Sequence, residues 1–552
     1  MSDSSTDCSV IDQEGILLRY IHPETFEPIT TIASIEKLDN ARAEGVTDAI
    51  KRGVLKCGID IDNLSNQESG ANLVCVNLDG AAVNLGAKSG VAKRLPDSVD
   101  NNVIVTQCVA HKLELGVLDA VKEVAYLKKF ENTLKRVCKF YSFSPKRREE
   151  LKNIALVLEE DILMHTEIKS IRWVSSKLRA LKAVCQDLNV TVTHMEQILS
   201  TSNKADELGQ ARAILKDLKQ VKFVKYIYLM VDILSAITKV SQQFQYKDLL
   251  IFEVKEAIDT LYMTLHAMTQ EPGEYLSKFY SLFDKESNMF DGKFKLSGTL
   301  SPFKEDNIFN VSLKKINQYI INRFQDLENP QLSFYRVFDF RNWPHTLTEL
   351  GTYGCQEIKQ LCQHSNDLLT QDELSSIPSE WQTLKVQVSM QRTFHPLAVY
   401  TSILQRKEES VKHISSLLQC LLTISPSTAA YERLFSNMNL IKNPLRTRLT
   451  QQNLQNQMRI VVSGPDFNKF DPLPSVAEWL KSGKRHIHHK QPVKSATITT
   501  EAPPSTSSQS NPEFENIQPM LNDLVKSLGG EEIAREKLKA ISENPSSQCS
   551  LM

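Results

Sequence analysis

The stretch 425–465 constrains this chain most, because prolines and glycines divide it into two short helices. Ser425 can act as a helix N-cap, and the proline after it suits the first helical position, where a missing N–H group costs nothing. Pro444 ends this helix, Thr450 offers a cap for a second one, and Gly464-Pro465 closes that one. Each helix has one apolar face with residues at three- and four-residue steps, namely Tyr431, Leu434, Phe435, Met438 and Ile441 in the first and Leu454, Met458 and Val461 in the second. The sequence therefore predicts an amphipathic helical hairpin.

The length of the chain predicts more than one domain. At 552 residues, two to four domains are expected. Apolar residues make up 41% and charged residues 24%, which is ordinary for a globular protein. The net charge is −1, so a surface that binds nucleic acid has to be local. No apolar run has the length of a membrane span, and no membrane partner is expected.

The ten cysteines are spread thinly over the chain, without a Cys-x-x-Cys pair. This spacing indicates reduced thiols inside a cell rather than a disulfide framework. Cys355, Cys362 and His364 are neighbours in sequence, but their spacing matches no common zinc site. No zinc site is therefore predicted.

The first part of the chain alternates between strand and helix patterns. Short β-prone runs at 16–21 and 29–35 predict a hairpin, and 40–56 has helical spacing. Continuous apolar runs at 73–78 and 103–106 predict two buried strands. Long helical patterns follow from His111 onwards.

The later part of the chain is predicted to be helical. Between residues 195 and 390 strand patterns almost vanish, which indicates a large helical domain. After a basic run at 484–490 the composition shifts to Ser, Thr, Pro and Gln, as in disordered linkers. A last amphipathic helix is expected at 517–541.

Several local patterns occur in a fixed order along the chain. They are Asp3-Ser-Ser-Thr-Asp7, Asp79-Gly-Ala-Ala-Val-Asn84, Cys108-x-x-His111 with Arg172-Trp173 after it, Glu432-Arg433-x-Phe435-Ser436, and Pro444-Leu445-Arg446-x-Arg448-Leu449. Each is common by itself, but together and in this order they resemble the hAT superfamily of transposases. The last two resemble the C-terminal dimerisation signature of that family.

The resemblance implies an α/β plus all-α fold, in which a large helical insertion interrupts a ribonuclease-H-like mixed sheet. The predicted domains are a first core part at 1–190, the insertion at 191–395, a C-terminal core segment with the dimerisation helices at 396–465, and a basic, then disordered tail at 466–552. The chain is expected to enter the fold only at the last residues of the first strand, so the sheet is expected to be incomplete. The zinc-finger domain that usually opens such transposases is not seen before Asp3.

The resemblance also implies the site residues. Asp3, Asp79 and Glu432 correspond to the three catalytic carboxylates, which would hold Mg²⁺ for DNA strand cleavage if the chain is active. Hard divalent ions prefer such oxygen ligands, and phosphodiester chemistry uses pairs of them. The structural alternative is a turn after a strand at Asp79 and a frayed terminal charge at Asp3.

DNA contacts are implied for five residues, Cys108, His111, Arg172, Trp173 and Arg433. Each has a structural alternative: a buried thiol at Cys108, a histidine at a helix start, core packing of Trp173 and solvated arginines. Dimerisation is assigned to the apolar residues of the hairpin, which are Tyr431, Leu434, Phe435, Met438, Ile441, Leu449, Leu454 and Met458.

Two functions are consistent with these patterns. The first is a transposon-derived protein that retains dimerisation, with nucleic-acid association; the alternative is an active Mg²⁺-dependent transposase core. The expected partners are a second copy, or several copies, of the chain, and DNA is a candidate partner. The basic run from Arg446 to Lys494 is a candidate patch for phosphate contacts or nuclear entry, so a nuclear location is expected.

Overall fold

The computed structural model of the chain describes residues 1–66, 71–99, 102–163, 165, 173–365 and 368–481. These residues belong to two units, Met1–Ser463 and a second unit that begins at Gly464. In the second unit, the described part contains one short 3-10 turn and the helix Leu473–Lys481. The helix expected at 517–541 lies outside the described residues.

Three antiparallel strands near the start of the chain form one sheet. They are β1 (Ser2–Thr6), β2 (Asp12–Ile21) and β3 (Pro28–Lys37), in the order β1-β2-β3. The predicted hairpin is confirmed, and both of its strands are longer than predicted. The strand β1 has five residues and β2 has ten. Its polar sequence has no apolar alternation, and β2 supplies its hydrogen bonds.

Two parallel strands, β4 (Cys75–Leu78) and β5 (Ile104–Gln107), form a second ladder. Helix α1 (Ala43–Leu55) precedes this pair, and the single-turn helices α2 (Ala82–Leu85) and α3 (Val91–Arg94) lie between its strands. The strand β1 lies beside β4, although no ladder joins the two. The strands therefore follow each other in space as β3-β2-β1-β4-β5.

The rest of the first unit is almost entirely helical. The helices are α4 (Val109–Glu123), α5 (Ala125–Ser142), α6 (Pro145–Leu158), α7 (Trp173–Gln186), α8 (Leu188–Thr201), α9 (Ala205–Leu218), α10 (Val221–Gln243), α11 (Ile251–Ala267), α12 (Glu274–Leu282), α13 (Asn307–Arg323), α14 (Pro330–Ser333), α15 (Leu347–Thr352), α16 (Cys355–His364), α17 (Gln371–Ser389), α18 (Pro396–Arg406), α19 (Ile414–Thr423), α20 (Ala429–Ile441) and α21 (Gln451–Ser463). A short hairpin was not predicted; its strands, β6 (Met289–Phe290) and β7 (Phe294–Lys295), have two residues each.

One continuous apolar core, from Ile104 to Ile424, joins the helices from α4 to α19. It includes residues on both sides of the boundaries predicted at 190 and 395. Helix α4 packs against α13, and α7 packs against α10. Among the helices of the described residues, none is both long and apolar enough to cross a bilayer.

The first sheet lies between two helical layers. On one face, Ile16 and Ala33 belong to an apolar cluster with α1. On the other face, Leu17, Ile32 and Ile35 pack against α20 and α21. Because successive side chains of a strand point to opposite faces, neighbouring apolar residues serve both layers. The C-terminal helical hairpin therefore forms one of the two helical layers that cover the N-terminal sheet.

Candidate functional site

The helical hairpin α20–α21 begins later than the sequence predicts. Residues 425–428 are not helical, and α20 starts at Ala429. Hydrogen bonds to distant residues hold this connection. Among them, the side-chain amide of Asn77 donates to the Ser425 carbonyl (2.7 Å), and the Val109 N–H donates to the Pro426 carbonyl (3.0 Å). These long-range bonds override the local helix-start signal. The second cap is confirmed, since Thr450 accepts from the Asn453 N–H (3.3 Å).

The apolar face of the hairpin is covered within the same chain. The side chains of Tyr431, Leu434, Phe435, Met438, Leu454 and Met458 are buried against β2 and β3, with Ile441 and Leu449 partly buried beside them. In this structure these residues pack in the chain's own core or at its edge, and their assignment to dimerisation stays a prediction. An apolar stripe shows only that a helix needs a partner surface; here that surface is the chain's own sheet.

Polar contacts also join the hairpin to the sheet. The Tyr431 hydroxyl accepts from the Leu17 N–H (3.1 Å). At the end of α20, the Lys442 ammonium group pairs with Asp7 (2.7 Å), and both side chains are buried. Gly15 lies so close to α20 that an added Cβ would be 2.7 Å from Leu434 Cδ2. These contacts therefore fix the position of the hairpin on the sheet.

The hairpin leaves other apolar side chains in solvent. Leu440 is 74% exposed, and Leu445 in the turn between the helices is 95% exposed. Leu445 lies next to Arg446 and Arg448, which are also exposed. The tip of the hairpin therefore combines apolar and basic side chains.

The three predicted carboxylates come from separate elements. Asp3 is in β1, Asp79 follows β4, and Glu432 is in the first turn of α20. Burial, together with the negative charges of Asp79 and Glu432, raises the pKa of Asp3 to about 7. Asp3 therefore lies within electrostatic range of both other carboxylates.

The Asp79 carboxylate is held by its own turn. Its Oδ1 accepts from the Ala81 N–H (2.9 Å) and from the side-chain amide of Asn84 (2.6 Å). The side-chain oxygen of Asn84, Oδ1, is buried and has no hydrogen-bond partner in the described part of the chain. This local network explains the Asp-Gly-Ala-x-x-Asn spacing.

A fourth carboxylate, Glu14 of β2, was missed by the sequence analysis. It is 1% exposed, accepts a hydrogen bond from the Ser2 hydroxyl, and has a second oxygen without a partner among the described residues. Burial, with the charges of Asp3 and Asp79, raises the pKa of Glu14 to about 8. The strand was predicted to start at residue 16, which left Glu14 outside the sheet.

The carboxylates match a divalent cation in chemistry but not in spacing. Mg²⁺ prefers carboxylate oxygens, and a cation would offset the repulsion that Asp3 experiences. However, within the described residues no three Cys, His, Asp or Glu side chains lie close enough together to hold one metal ion.

The predicted DNA-contacting residues are found in different surroundings. Cys108 is buried, and its sulfur accepts from the Thr428 N–H (3.4 Å); burial raises the pKa of its thiol. His111 is exposed and lies against the Asp79-Gly80 turn, since a Cβ on Gly80 would be 3.0 Å from its ring. Arg433 is exposed on α20. Arg172 lies outside the described residues, and Trp173 begins α7.

The comparison with protein families matches the C-terminal part of this site. Residues 378–460 match the model of the hAT family C-terminal dimerisation region. The match begins within α17 and includes α20 and most of α21. It supports a hAT-type protein with a dimerisation region.

Proposed function

We propose that this chain is a transposon-derived protein of hAT type whose retained activity is self-association, accompanied by nucleic-acid association in the nucleus. The observation that carries this proposal is the match of residues 378–460 to the hAT dimerisation region. The strand order β3-β2-β1-β4-β5, with helices on both faces, supports a ribonuclease-H-like core. The sheet would then be a platform for the hairpin.

The tip of the hairpin is the part of this region that a second copy can reach. Most of the face that packs on the sheet is already buried within the chain. Leu440 and Leu445 are exposed and lie inside the matched region. Burying exposed leucines against a second chain is favourable by roughly 25 cal/mol for each Å² of apolar area.

Analytical ultracentrifugation of the full chain tests this proposal. The expected result is a dimer or larger assembly that Leu445→Asp weakens by about tenfold or more in its dissociation constant, since a carboxylate would have to be desolvated at the contact. A matched control is Leu347→Asp, because Leu347 is also exposed but lies outside the matched region. It should leave association unchanged.

Two results contradict the proposal. One is a chain that stays monomeric at tens of micromolar. The other is an equal effect of Leu445→Asp and Leu347→Asp, which would indicate non-specific contact.

A second candidate function is DNA strand cleavage by the acidic cluster. The observation that favours it is the convergence of Asp3, Asp79 and Glu432 from three elements. The negative charges of Asp79 and Glu432 contribute to the raised pKa of Asp3. These residues would hold Mg²⁺ if they moved closer together.

A nicking assay on supercoiled DNA with Mg²⁺ tests this candidate. Glu432→Gln should abolish cleavage. Glu409→Gln, at an exposed glutamate outside the acidic cluster, should not. The absence of cleavage by the parent protein, or cleavage that Glu432→Gln leaves intact, rejects it.

A further inference from the structure

A cleft of about 470 Å³ lies on the side of the first sheet that carries α20 and α21. Residues of β2 and β3 line its floor, α20 and the end of α21 form one wall, and the loop 245–249 forms the other. Its apolar lining includes Leu17, Ile29 and Val461. It is distinct from the acidic cluster, because Asp3, Asp79 and Glu432 do not line it.

Arg19 of β2 lines this cleft and has no carboxylate at ion-pair distance in the described part of the chain. Its Nε donates to the Leu422 carbonyl (3.0 Å) and its Nη1 to the Lys247 carbonyl (3.5 Å). Its Nη2 is enclosed and has no hydrogen-bond partner among the described residues. Burial lowers the pKa of Arg19 to about 10, which the charge of Asp248 partly opposes. A largely buried guanidinium without an anion is costly, and an anion would satisfy it.

Other charges at the cleft are mainly positive. Arg433 of α20 and Lys247 of the loop line it and are exposed, and the described part of the chain gives neither side chain an ion pair. The one acidic side chain in its lining is Asp248, which is exposed. Three cations against one anion give the cleft a net positive charge, although the whole chain has a net charge of −1.

The start of α20 adds to this positive field. Ala429 and Ala430, the first two residues of this thirteen-residue helix, line the cleft. The N–H groups at the start of a helix favour anions. The rim carries Tyr246, which is 66% exposed and offers an aromatic face on which a base can stack.

We propose that this cleft binds a nucleotide through its phosphate, with Arg19, Arg433 and Lys247 contacting the phosphate and Tyr246 contacting the base. Arginine suits phosphate because its planar fork donates two parallel hydrogen bonds. The apolar lining accepts the base and sugar. The phosphate can belong to a free nucleotide or to the 5′ end of a nucleic-acid strand, since both present the same group. This site is independent of self-association and gives nucleic-acid association a location.

Isothermal titration calorimetry of the full chain with dAMP, deoxyadenosine and inorganic phosphate tests the proposal. We expect dAMP to bind and deoxyadenosine to bind at least about tenfold more weakly, because it lacks the charged group. Arg433→Gln and Lys247→Gln change exposed side chains and should each weaken dAMP about tenfold. Arg212→Gln, at an exposed arginine of α9, is the matched control and should have no effect.

A single-stranded oligonucleotide with and without a 5′ phosphate distinguishes the two sources. Binding that needs the 5′ phosphate and is weakened by Arg433→Gln assigns the cleft to a strand end. Binding of dAMP alone assigns it to a free nucleotide. The proposal is overturned if neither ligand binds at millimolar concentration, or if Arg433→Gln and Lys247→Gln leave binding unchanged. Ultracentrifugation of the same variants should show unaltered association, so a failure here is separate from a failure of self-association.

Discussion

Glu14 is a carboxylate inside the protein, where one oxygen accepts from Ser2 and the other has no partner in the described part of the chain. Its environment also includes the charges of Asp3 and Asp79. A group of this kind binds a proton more tightly in the folded chain than in the unfolded one. It therefore links stability to pH.

The sign of this linkage follows from the raised pKa. Glu14 has an ordinary pKa of 4.5 and a folded pKa of about 8, so its contribution to stability is fully present below about pH 4.5 and is lost as pH rises through 8. Asp3, with a folded pKa of about 7, changes stability in the same direction. Both Glu14 and Asp3 should thus make the folded chain less stable as pH rises from 5 to 8.5.

The substitution Glu14→Gln should reduce this loss. The amide oxygen can still accept from Ser2, but no charge has to be buried at high pH. At pH 8.5 we expect the free energy of unfolding to rise by roughly 1–3 kcal/mol relative to the parent, with a much smaller change at pH 5. Urea unfolding at both pH values measures this.

The matched control is Glu24→Gln, at an exposed glutamate in the turn between β2 and β3. It should leave the midpoint of urea unfolding unchanged at both pH values. Equal changes for Glu14→Gln at the two pH values would show that Glu14 is not the titrating group.

Individual residues were predictable from sequence where their role is local. Thr450 caps α21 as its spacing with the following helix predicts. Ser425 does not cap α20, because its carbonyl is taken by Asn77 from a strand far away in sequence. Glu14 gave no signal, since nothing local shows that a glutamate in a polar run will be buried.

At the level of helices and strands, the spacing of apolar residues predicted where the elements lie better than it predicted what they pack against. The helix predicted at 40–56 is α1, and the strands at 73–78 and 103–106 are β4 and β5. The apolar face of α20 was equally clear, but periodicity cannot distinguish a sheet of the same chain from a second chain. Only the assembled fold shows that β2 and β3 cover it.

The substitution Phe435→Asp tests this placement of α20. It would put a carboxylate into the contact with the sheet, so we expect a loss of at least about 3 kcal/mol of stability and a lower melting temperature. The neighbouring Ser436→Asp, at an exposed position, should change stability by no more than about 0.5 kcal/mol. Circular dichroism during heating measures both.

The opposite outcome would be informative. If Phe435→Asp keeps the parent melting temperature and yields a monomer, the face of α20 joins two chains and does not pack on its own sheet.

In the whole molecule, the two ends of the first unit are built into one body. The ion pair between Asp7 and Lys442 joins residues 435 positions apart, and Tyr431 bonds to β2. Long-range pairing of this kind follows from no local pattern; the ordered motifs and the family resemblance suggested it. The carboxylates Asp3, Asp79 and Glu432 are brought within electrostatic range by the same arrangement, but no metal-holding spacing results among the described residues.

The hairpin is thus held against the sheet, and its tip at Leu440 and Leu445 projects into solvent. Self-association through this tip is the central claim. It requires an assembly that forms without unfolding the α20 contact with the sheet.

The most direct test is the molar mass of the full chain by multi-angle light scattering between 1 and about 50 micromolar. We predict a mass of at least twice the 62.5 kDa of one chain, which falls toward one chain mass for Leu445→Asp while the melting temperature is retained. A parent chain that has the mass of one chain at every concentration would contradict the claim.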